Sequence, residues 1–342
     1  MSFPIIFSPH HRLHAPENIT VNQIPFDTED KVDRVEIILT ALQASGFETV
    51  EAPKDFGLEP ILTVHDTTYV DYLHTVFDEN HLYRGYPSPV IPETFAPRAT
   101  RRKPSQFYGL SGYYAFGVGS PILQDTWTAA YWSAQCALTA ADRLRSGEKT
   151  VYALCRPPGH HAGPDFYGGY CYLNNAAIAA RFLSAQANKG IAILDIDFHH
   201  GNGTQEIFYQ DPDILFCSLH ADPDKEYPYF WGGADEKGAG PGLGFNHNFP
   251  LPLEVSLRDY LAVLNEALQA IRLFKPDCLV VSAGYDTMAG DPAGGFLLDV
   301  GGLHEIGNRI ADLRIPTVII QEGGYLLEEL GKQAISFMTA FL

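Results

Sequence analysis

Short apolar runs alternate along the chain with longer segments in which apolar positions recur every three or four residues. The runs are typical of buried strands, and the longer segments are typical of amphipathic helices. The predicted strands are 151–154, 191–194, 214–216, 279–282 and 317–320, and the predicted helices are 172–187 and 257–273. This alternation predicts an α/β fold with a mainly parallel sheet that is covered by helices on both faces.

Polar residues suited to chemistry follow three of these predicted strands. Asp195 comes directly after one strand, Asp286 follows another, and Tyr325 follows the last. Because open α/β sheets bind ligands beyond the carboxyl ends of their strands, we expect these three strand ends to converge on one site.

The segment DIDFHHG at 195–201 is the strongest local signal for a metal site. Asp197 and His199 are two positions apart, so an extended chain points both side chains to the same side. A carboxylate and an imidazole placed together suit a divalent metal such as zinc. The alternative, a hydrogen-bonded pair at a strand end, would bury ionisable groups at a cost. Asp286 is the best candidate for a third ligand, although an aspartate in this position also commonly caps a helix.

Two other turns carry candidate catalytic groups. His160 and His161 lie side by side in RPPGHHA at 156–162, and histidine is the natural acid or base near neutral pH. Tyr325, in QEGGY at 321–325, could offer its hydroxyl to an oxyanion. Taken alone, a surface turn explains the histidines equally well and explains the tyrosine better. A glycine-rich stretch at 238–244 lacks the preceding strand of a dinucleotide site, so we interpret it as a loop.

Residues 81–125 differ in character from the rest of the chain. The stretch is rich in proline, glycine, tyrosine and arginine, and it contains the basic cluster Arg98, Arg101, Arg102 and Lys103. We interpret it as a long loop, called the excursion below. Long loops within compact domains usually have a function or lack fixed structure.

The composition excludes several classes of protein. A net charge of −18 over 342 residues disfavours a nucleic-acid binder and would attract cations or aid solubility. The five cysteines are odd in number and form no CxxC pair, as in proteins of reducing compartments. No signal peptide or membrane-spanning stretch is evident, so we expect a cytoplasmic protein.

Five motifs together resemble the histone deacetylases and their bacterial relatives. They are RPPGHHA at 156–162, DIDFHHGNGT at 195–204, SLH at 218–220, GYDTMAGDP at 284–292 and EGGY at 322–325. The motifs occur in the family's order, with a looser match to the N-terminal part of the chain. The excursion, the segment FYGGYCYLNN at 166–175 and the total length are most similar to the bacterial acetylpolyamine amidohydrolases.

The resemblance implies a fold and a metal site. The fold would be a single domain over 1–342, with an arginase-like three-layer α/β/α architecture around a sheet of about eight strands. Asp197, His199 and Asp286 would bind zinc. Because two carboxylates make this ligand set harder than that of the usual catalytic zinc site, ferrous iron is an alternative occupant.

The resemblance also implies catalytic roles. His160 would face Asp195, whose carboxylate tends to keep the imidazole protonated. His161 would face the neutral Asn202 and act as the general base, and both partners would fix the ring tautomers. Tyr325 would donate a hydrogen bond to the substrate carbonyl and then to the oxyanion.

Substrate walls and potassium sites follow from the same resemblance. Gly169 and Tyr170 match the family's glycine–aromatic wall of the substrate tunnel, and Tyr227 would form the opposite wall. A first potassium ion would be bound by Asp195, the Ser218 hydroxyl and the backbone oxygens of Asp197, His199 and Leu219. A second potassium site would involve Phe208, Asp211 and Ile214.

The implied reaction is zinc-dependent hydrolysis of N-acetylated polyamines, of the acetylputrescine, acetylcadaverine and acetylspermidine type, to free amine and acetate. In the family the excursion builds a homodimer and narrows the entrance, which would admit small cationic amines and exclude folded proteins. Some relatives also carry acidic residues there that help bind the cationic end, but residues 98–124 of this chain contain neither Asp nor Glu. Glu17 and Glu93 are the nearby acidic candidates.

Three other functions fit part of the sequence. A protein or peptide lysine deacetylase would keep the same catalytic residues and differ only in access to them. A ureohydrolase-like enzyme would need more carboxylates for a second metal, in a turn that here carries His160 and His161. A non-catalytic binder of acetylated ligands would be expected to have lost a metal ligand or the tyrosine, whereas this chain has every such position filled.

Overall fold

The computed structural model describes residues 2–21, 23–97, 102–185, 187 and 190–342. Its strands are β1 (Ile5–Phe7), β2 (Thr20–Val21), β3 (Ile24–Pro25), β4 (Val50–Glu51), β5 (Thr150–Leu154), β6 (Ile191–Asp195), β7 (Ile214–Ala221), β8 (Asn246–Leu251), β9 (Cys278–Ala283) and β10 (Thr317–Gln321). Its α-helices are α1 (Asp33–Ala44), α2 (Glu59–Leu62), α3 (Thr67–Arg84), α4 (Phe107–Tyr114), α5 (Thr126–Arg145), α6 (Asn175–Ser184), α7 (Asn202–Phe208), α8 (Leu257–Phe274), α9 (Val300–Ala311) and α10 (Leu327–Thr339). Short 3-10 helices span Pro9–Leu13, Pro16–Asn18 and Gly240–Gly242.

The central sheet has eight strands among the described residues, in the order β4-β1-β5-β10-β9-β6-β7-β8. Every neighbouring pair in it is parallel, and β2 and β3 form a separate antiparallel ribbon. The predicted parallel sheet of about eight strands is therefore confirmed. Asp195 pairs in register with both Ser218 and Ser282, so the residues that follow β6 and β9 leave the sheet at the same level.

The two faces of the sheet are covered by separate apolar layers. Successive residues of a strand point to opposite faces, so Val151 and Ala153 pack into one layer while Tyr152 and Leu154 pack into the other. The first layer contains residues of α3, α4, α5 and α6, and the second contains residues of α1, α8, α9 and α10. Because both faces are buried, the central strands are apolar throughout, which explains why they stand out in the sequence.

The two predicted helices are present with slightly different ends. Segment 257–273 forms α8, which begins where the Ser256 side chain accepts a hydrogen bond from the Asp259 N–H and ends at Lys275 in the left-handed conformation. Segment 172–187 is shorter in the structure, because Asn174 caps the Ala177 N–H and starts α6 at Asn175.

Two predictions were wrong, one about the end of a strand and one about the excursion. Strand β7 runs to Ala221, well beyond the predicted 214–216, so Ser218 and Leu219 lie within the strand instead of after it. The excursion is also not one continuous loop, since α3 extends into it to Arg84 and α4 lies within it. In its basic cluster, Lys103 donates a hydrogen bond to the Thr68 hydroxyl at 2.7 Å, whereas Arg98 and Arg101 lie outside the described residues.

No helix in the described part of the chain combines the length and the apolar character that crossing a membrane requires.

Candidate active site

Three side chains converge beyond the ends of β6 and β9. The Asp197, His199 and Asp286 ligand atoms all lie within 4.8 Å of one another. The His199 Nδ1 atom lies 3.2 Å from Asp197 Oδ1 and 3.1 Å from Asp286 Oδ2. Burial lowers the pKa of His199, but the two carboxylates outweigh this effect and raise it to about 10. The trio therefore attracts positive charge, and its two carboxylates and one imidazole are a donor set that suits a divalent cation.

The carboxylates of this trio are held in place by backbone N–H groups. Asp197 accepts hydrogen bonds from Gly323 N at 2.8 Å and His199 N at 2.8 Å, and Asp286 accepts one from Phe198 N at 3.0 Å. Gly323 is needed for this approach, because a Cβ atom there would lie 2.3 Å from Asp286 Oδ2. Backbone groups, two of which are distant in sequence, therefore orient the candidate ligands.

A second cluster, made of His160, Cys171 and Glu322, also brings possible ligand atoms within 4.8 Å of one another. It suits a metal less well, because the Cys171 Sγ atom already donates a hydrogen bond to the Gly169 carbonyl at 3.3 Å, as a protonated thiol does. Burial also raises the pKa of the Cys171 thiol well above its ordinary value, which disfavours the thiolate that binds metals. The first cluster is therefore the better metal site.

The adjacent histidines of the turn after β5 have different partners. His161 Nδ1 donates to Asn202 Oδ1 at 2.7 Å, which leaves Nε2 as the basic nitrogen. Burial, together with the positive charges of His160 and His199, lowers the pKa of His161 well below its usual value. Burial also lowers the pKa of His160, but the Asp197 and Asp195 carboxylates raise it to about 10. The two rings thus carry one positive charge between them, and at neutral pH this charge is on His160.

Tyr325 lies on the turn after β10, held from two sides. Asp291 Oδ2 accepts hydrogen bonds from the Tyr325 N–H at 2.7 Å and the Leu326 N–H at 2.9 Å. Arg34 lies over the Tyr325 ring, with 4.4 Å between the guanidinium carbon and the ring centroid. Burial raises the pKa of the Tyr325 hydroxyl well above 10, so the group keeps its proton and can donate it in a hydrogen bond.

Arg34 belongs to a fully buried network that joins the N-terminal region to the turn before Tyr325. Its guanidinium donates to the Gly324 carbonyl and the Glu322 carbonyl, each at 2.7 Å, and to Asp30 at 2.7 Å. Asp30 also accepts a hydrogen bond from Arg156, the first residue of the histidine turn, at 3.1 Å. One buried carboxylate therefore links the segment of Tyr325 to that of His160 and His161.

Glu322 makes a second connection between these two turns. Its carboxylate accepts hydrogen bonds from the Gly159 N–H at 2.7 Å and the His160 N–H at 3.2 Å. Burial raises the pKa of Glu322 to about 7, although the His160 cation opposes the shift. The QEGGY segment thus positions the backbone of the tandem histidines as well as its own tyrosine.

A cavity of about 550 Å³ leads from the surface to His161, His199 and Tyr325. Its lining residues are Gly117, Val118, Gly119, His161, Gly169, Tyr170, His199, Glu226, Tyr227, Pro292, Ala293, Gly294 and Tyr325. The predicted wall residues Gly169, Tyr170 and Tyr227 are all present, and the ring of Tyr227 lies 4.9 Å from that of His161. Glycine is required at position 169, because its φ is +55° and a Cβ atom there would lie 2.3 Å from the His161 ring.

The two acidic candidates named from the sequence lie elsewhere. Glu17 accepts a hydrogen bond from the Val32 N–H at 2.8 Å, and Glu93 lines a separate surface cavity beside α4. Within the described residues, neither lines the 550 Å³ cavity. Glu226 does, and nothing in its local sequence distinguished it from other surface glutamates.

The residues predicted to bind potassium fall into two groups. Asp195 and Ser218 are register neighbours on β6 and β7, and the buried Asp195 carboxylate accepts a hydrogen bond from the Asp197 N–H at 3.1 Å. In the second group, the Asp211 carboxylate pairs with Arg181 at 2.7 Å, and its N–H donates to the Phe208 carbonyl at 3.0 Å. Ile214 begins β7 next to this turn.

Residues 28–341 of this chain match the sequence model of the family described as "Histone deacetylase domain". The chain belongs to the histone deacetylase family. Acetylpolyamine amidohydrolase 1 of Pseudomonas aeruginosa is 43% identical over 339 residues, which cover 98% of each chain. Acetylpolyamine amidohydrolase of Mycoplana ramosa is 40% identical over 335 residues and 96% of each chain.

Solved structures agree with this membership. The acetylpolyamine aminohydrolase of Burkholderia pseudomallei superposes with a TM-score of 0.93 at 40% identity, over 99% of this chain and 98% of that one. The HDA15 HD domain superposes with a TM-score of 0.81 at 28% identity, over 99% of this chain and 90% of that one. The predicted arginase/deacetylase-like fold, and the prediction of a deacetylase of this family, are therefore confirmed.

Proposed function

We propose that this histone deacetylase family member is a zinc-dependent amidohydrolase that converts N-acetylated polyamines to free polyamines and acetate. The observation that carries the proposal is one cavity lined by His161, His199 and Tyr325. Behind this wall, His199 contacts Asp197 and Asp286, and His160 lies beside His161. The names of the bacterial relatives, which match almost the whole chain, support the choice of an acetylpolyamine as substrate.

Asp197, His199 and Asp286 would hold the metal. Their two carboxylates and one imidazole fit zinc, and they also fit ferrous iron as an alternative occupant. When bound, such an ion supplies Lewis acidity towards the acetamide carbonyl and lowers the pKa of water.

We assign the proton transfers to His161. Its lowered pKa keeps the ring neutral at physiological pH, and its hydrogen bond to Asn202 presents Nε2 as the base. His161 would take a proton from the attacking water and return one to the leaving amine. His160, held protonated by Asp195, would keep positive charge near the developing oxyanion.

Tyr325 would donate its hydroxyl hydrogen bond to the same oxyanion. Its raised pKa keeps the donor protonated, and the contacts of Arg34 and Asp291 fix its position in advance. Gly169 would offer its carbonyl to the amide N–H, while Tyr170 and Tyr227 flank the aliphatic part of the substrate.

The potassium sites and the dimer belong to the same proposal. Asp195, Ser218, Leu219 and backbone oxygens would bind one potassium ion behind the metal, and Phe208, Asp211 and Ile214 would contribute to a second. The excursion supplies residues 117–119 to the cavity wall, which supports a part for it in shaping the entrance. The same segment would form the contact of the homodimer. Small cationic amines would then enter more easily than protein chains.

The deciding experiment compares two substrates of the zinc-loaded protein. Acetate release would be followed from acetylputrescine and from an acetyl-lysine octapeptide. We expect fast release from the small amine and little from the peptide. Equal or faster release from the peptide would reassign the chain as a peptide lysine deacetylase, and no release from either would refute the proposed reaction.

A further inference from the structure

We propose that Glu226 is the substrate-anchoring residue of this enzyme, and that its carboxylate binds the free ammonium group at the far end of the acetylated amine. The inference rests on the proposed amidohydrolase function and adds the residue that would select a cationic substrate. It starts from the position of Glu226 in the cavity wall.

Glu226 stands next to the inner part of the site along the chain. The following residue, Tyr227, has its ring centroid 4.9 Å from that of His161 and 6.0 Å from that of His199. Consecutive Cα atoms are about 3.8 Å apart, so Glu226 lies one residue from a wall that contacts the catalytic groups. A ligand that fills the cavity from the proposed metal site outwards would therefore come close to Glu226.

The carboxylate of Glu226 is unpaired among the residues that the structure describes. The backbone of Glu226 is satisfied, because its N–H donates to the Asp222 carbonyl and its own carbonyl accepts from the Tyr229 N–H. The neighbouring cation, Lys225, pairs with Asp222 at 3.4 Å. Glu226 is a half-buried residue, and an incoming ammonium group would supply its carboxylate with a partner of opposite charge.

The rest of the lining suits the same ligand. Of the described residues that line this cavity, none is a lysine or an arginine. Two tyrosines, Tyr170 and Tyr227, add aromatic rings that also favour a cation. Glu226 therefore lines a cavity that has no lysine or arginine among its described lining residues, in a protein whose net charge of −18 already attracts cations.

The test compares Glu226→Gln with Asp224→Asn, a matched control. Both variants remove one negative charge from the same loop and keep the side-chain size, but Asp224 is exposed and does not line the cavity. Two substrates would be used: acetylputrescine, and N-pentylacetamide, which replaces the ammonium group by a methyl group. Loss of one hydrogen bond to a charged group predicts about a tenfold loss in kcat/KM of Glu226→Gln for acetylputrescine, mostly through KM.

We expect both variants to hydrolyse N-pentylacetamide within about twofold of the wild type, and Asp224→Asn to keep acetylputrescine hydrolysis within the same range. Equal losses of kcat/KM for acetylputrescine in the two variants would indicate a general effect of net charge instead of a direct contact. That result would overturn the proposal. An equal loss on both substrates would also overturn it, because the neutral substrate has no ammonium group to bind.

A binding measurement separates this proposal from the proposed reaction. Titration calorimetry of putrescine into the wild type and both variants does not depend on turnover. Binding that weakens about tenfold only in Glu226→Gln supports the anchor, even if no acetamide were hydrolysed and the proposed reaction had failed. Equal affinity in the three proteins, or no binding by the wild type, would overturn it.

Discussion

Behind the inner end of the cavity, the buried Asp197 and Asp286 carboxylates accept backbone hydrogen bonds, whereas the entrance is lined by loop residues such as Val118 and Glu226. Val118, on the excursion, is 56% exposed, and Glu226 keeps a carboxylate without a partner among the described residues. The inner groups follow strands of one sheet, and their geometry is fixed by its register.

This difference separates chemistry from substrate choice. A metal site and its proton-transfer groups must be held within a fraction of an ångström, which strand ends and buried networks provide. Entrance loops tolerate substitution, so they can change which amine is admitted without disturbing the reaction. Substitutions at the inner end should therefore remove most of the activity. Those at the entrance should change kcat/KM by smaller factors that differ between substrates.

The largest expected effect is at the proposed metal ligands Asp197, His199 and Asp286. Asp286→Ala should lose stoichiometric zinc, and activity should fall to the level of the metal-free protein, because one of three candidate ligands is removed. Zinc per chain would be measured by mass spectrometry after dialysis. Asp286→Asn, which keeps an acceptor for the Phe198 N–H, should show the same loss without a packing defect. One tightly bound zinc ion per chain in both variants would contradict the assignment.

The next largest effect is expected at Tyr325, the proposed oxyanion donor. Tyr325→Phe should lower kcat by about 10²–10³, because it removes one donor while the ring and its contact with Arg34 remain. Steady-state kinetics would measure the loss, and the thermal unfolding midpoint would serve as the control for folding. Near-normal turnover in a well-folded, zinc-loaded variant would remove Tyr325 from the catalytic groups.

A smaller effect concerns the support behind the histidine turn. His65 Nδ1 donates to the Gly163 carbonyl at 2.7 Å, and Nε2 accepts from the Asn174 N–H at 2.9 Å. Burial lowers the pKa of His65 in the folded protein to about 4, compared with 6.5 in the unfolded chain. Between these two pH values the unfolded chain binds more protons than the folded protein. The free energy of unfolding therefore falls as the pH drops from 6.5 towards 4.

Replacing this histidine should remove its share of the pH dependence. Between pH 6 and 5, the free energy of unfolding should fall by about 1 kcal/mol less in His65→Gln than in the wild type. Urea unfolding at both pH values gives the slope, and His304→Gln, at an exposed position, is the control. Identical slopes for the wild type and His65→Gln would show that His65 takes up its proton without loss of stability.

The smallest effect is expected at the entrance. Val118→Ala removes two methyl groups from an exposed position of the cavity wall and should change kcat/KM for acetylputrescine by about twofold at most. Steady-state kinetics is sufficient to measure it. A loss comparable with that of Tyr325→Phe would mean that the entrance is as finely fitted as the inner end.

The parts predicted best from the sequence are those with a local signal. The central strands are buried on both faces and are therefore continuous apolar runs, and the metal trio and histidines lie in short motifs directly after them. The edge strands β4 and β8 were not predicted, because neither forms a continuous apolar run. β4 has only two residues, and β8 begins with the polar residues Asn246, His247 and Asn248, which break the apolar pattern.

The supporting network could not be predicted for a different reason. Arg34 reaches the Gly324 carbonyl across 290 residues of sequence, and Arg156 reaches Asp30 across 126. No local pattern marks such pairs, because each arginine looks like a surface residue until the fold buries it. Glu322 lay within a recognised motif, yet its bonds to the histidine turn depend on β10 lying beside β5. The position of Glu226 in the cavity wall could be recognised only from the structure.

The strand order has a consequence for biosynthesis. β10, the last strand to leave the ribosome, sits in the middle of the sheet, between β5 and β9. Until residues 317–321 have emerged, β5 and β9 have no common neighbour, and each exposes an unpaired strand edge that can associate with other chains. The nascent enzyme therefore completes its sheet and its active site in the same late step, and a chain that stops before β10 should be aggregation-prone as well as inactive.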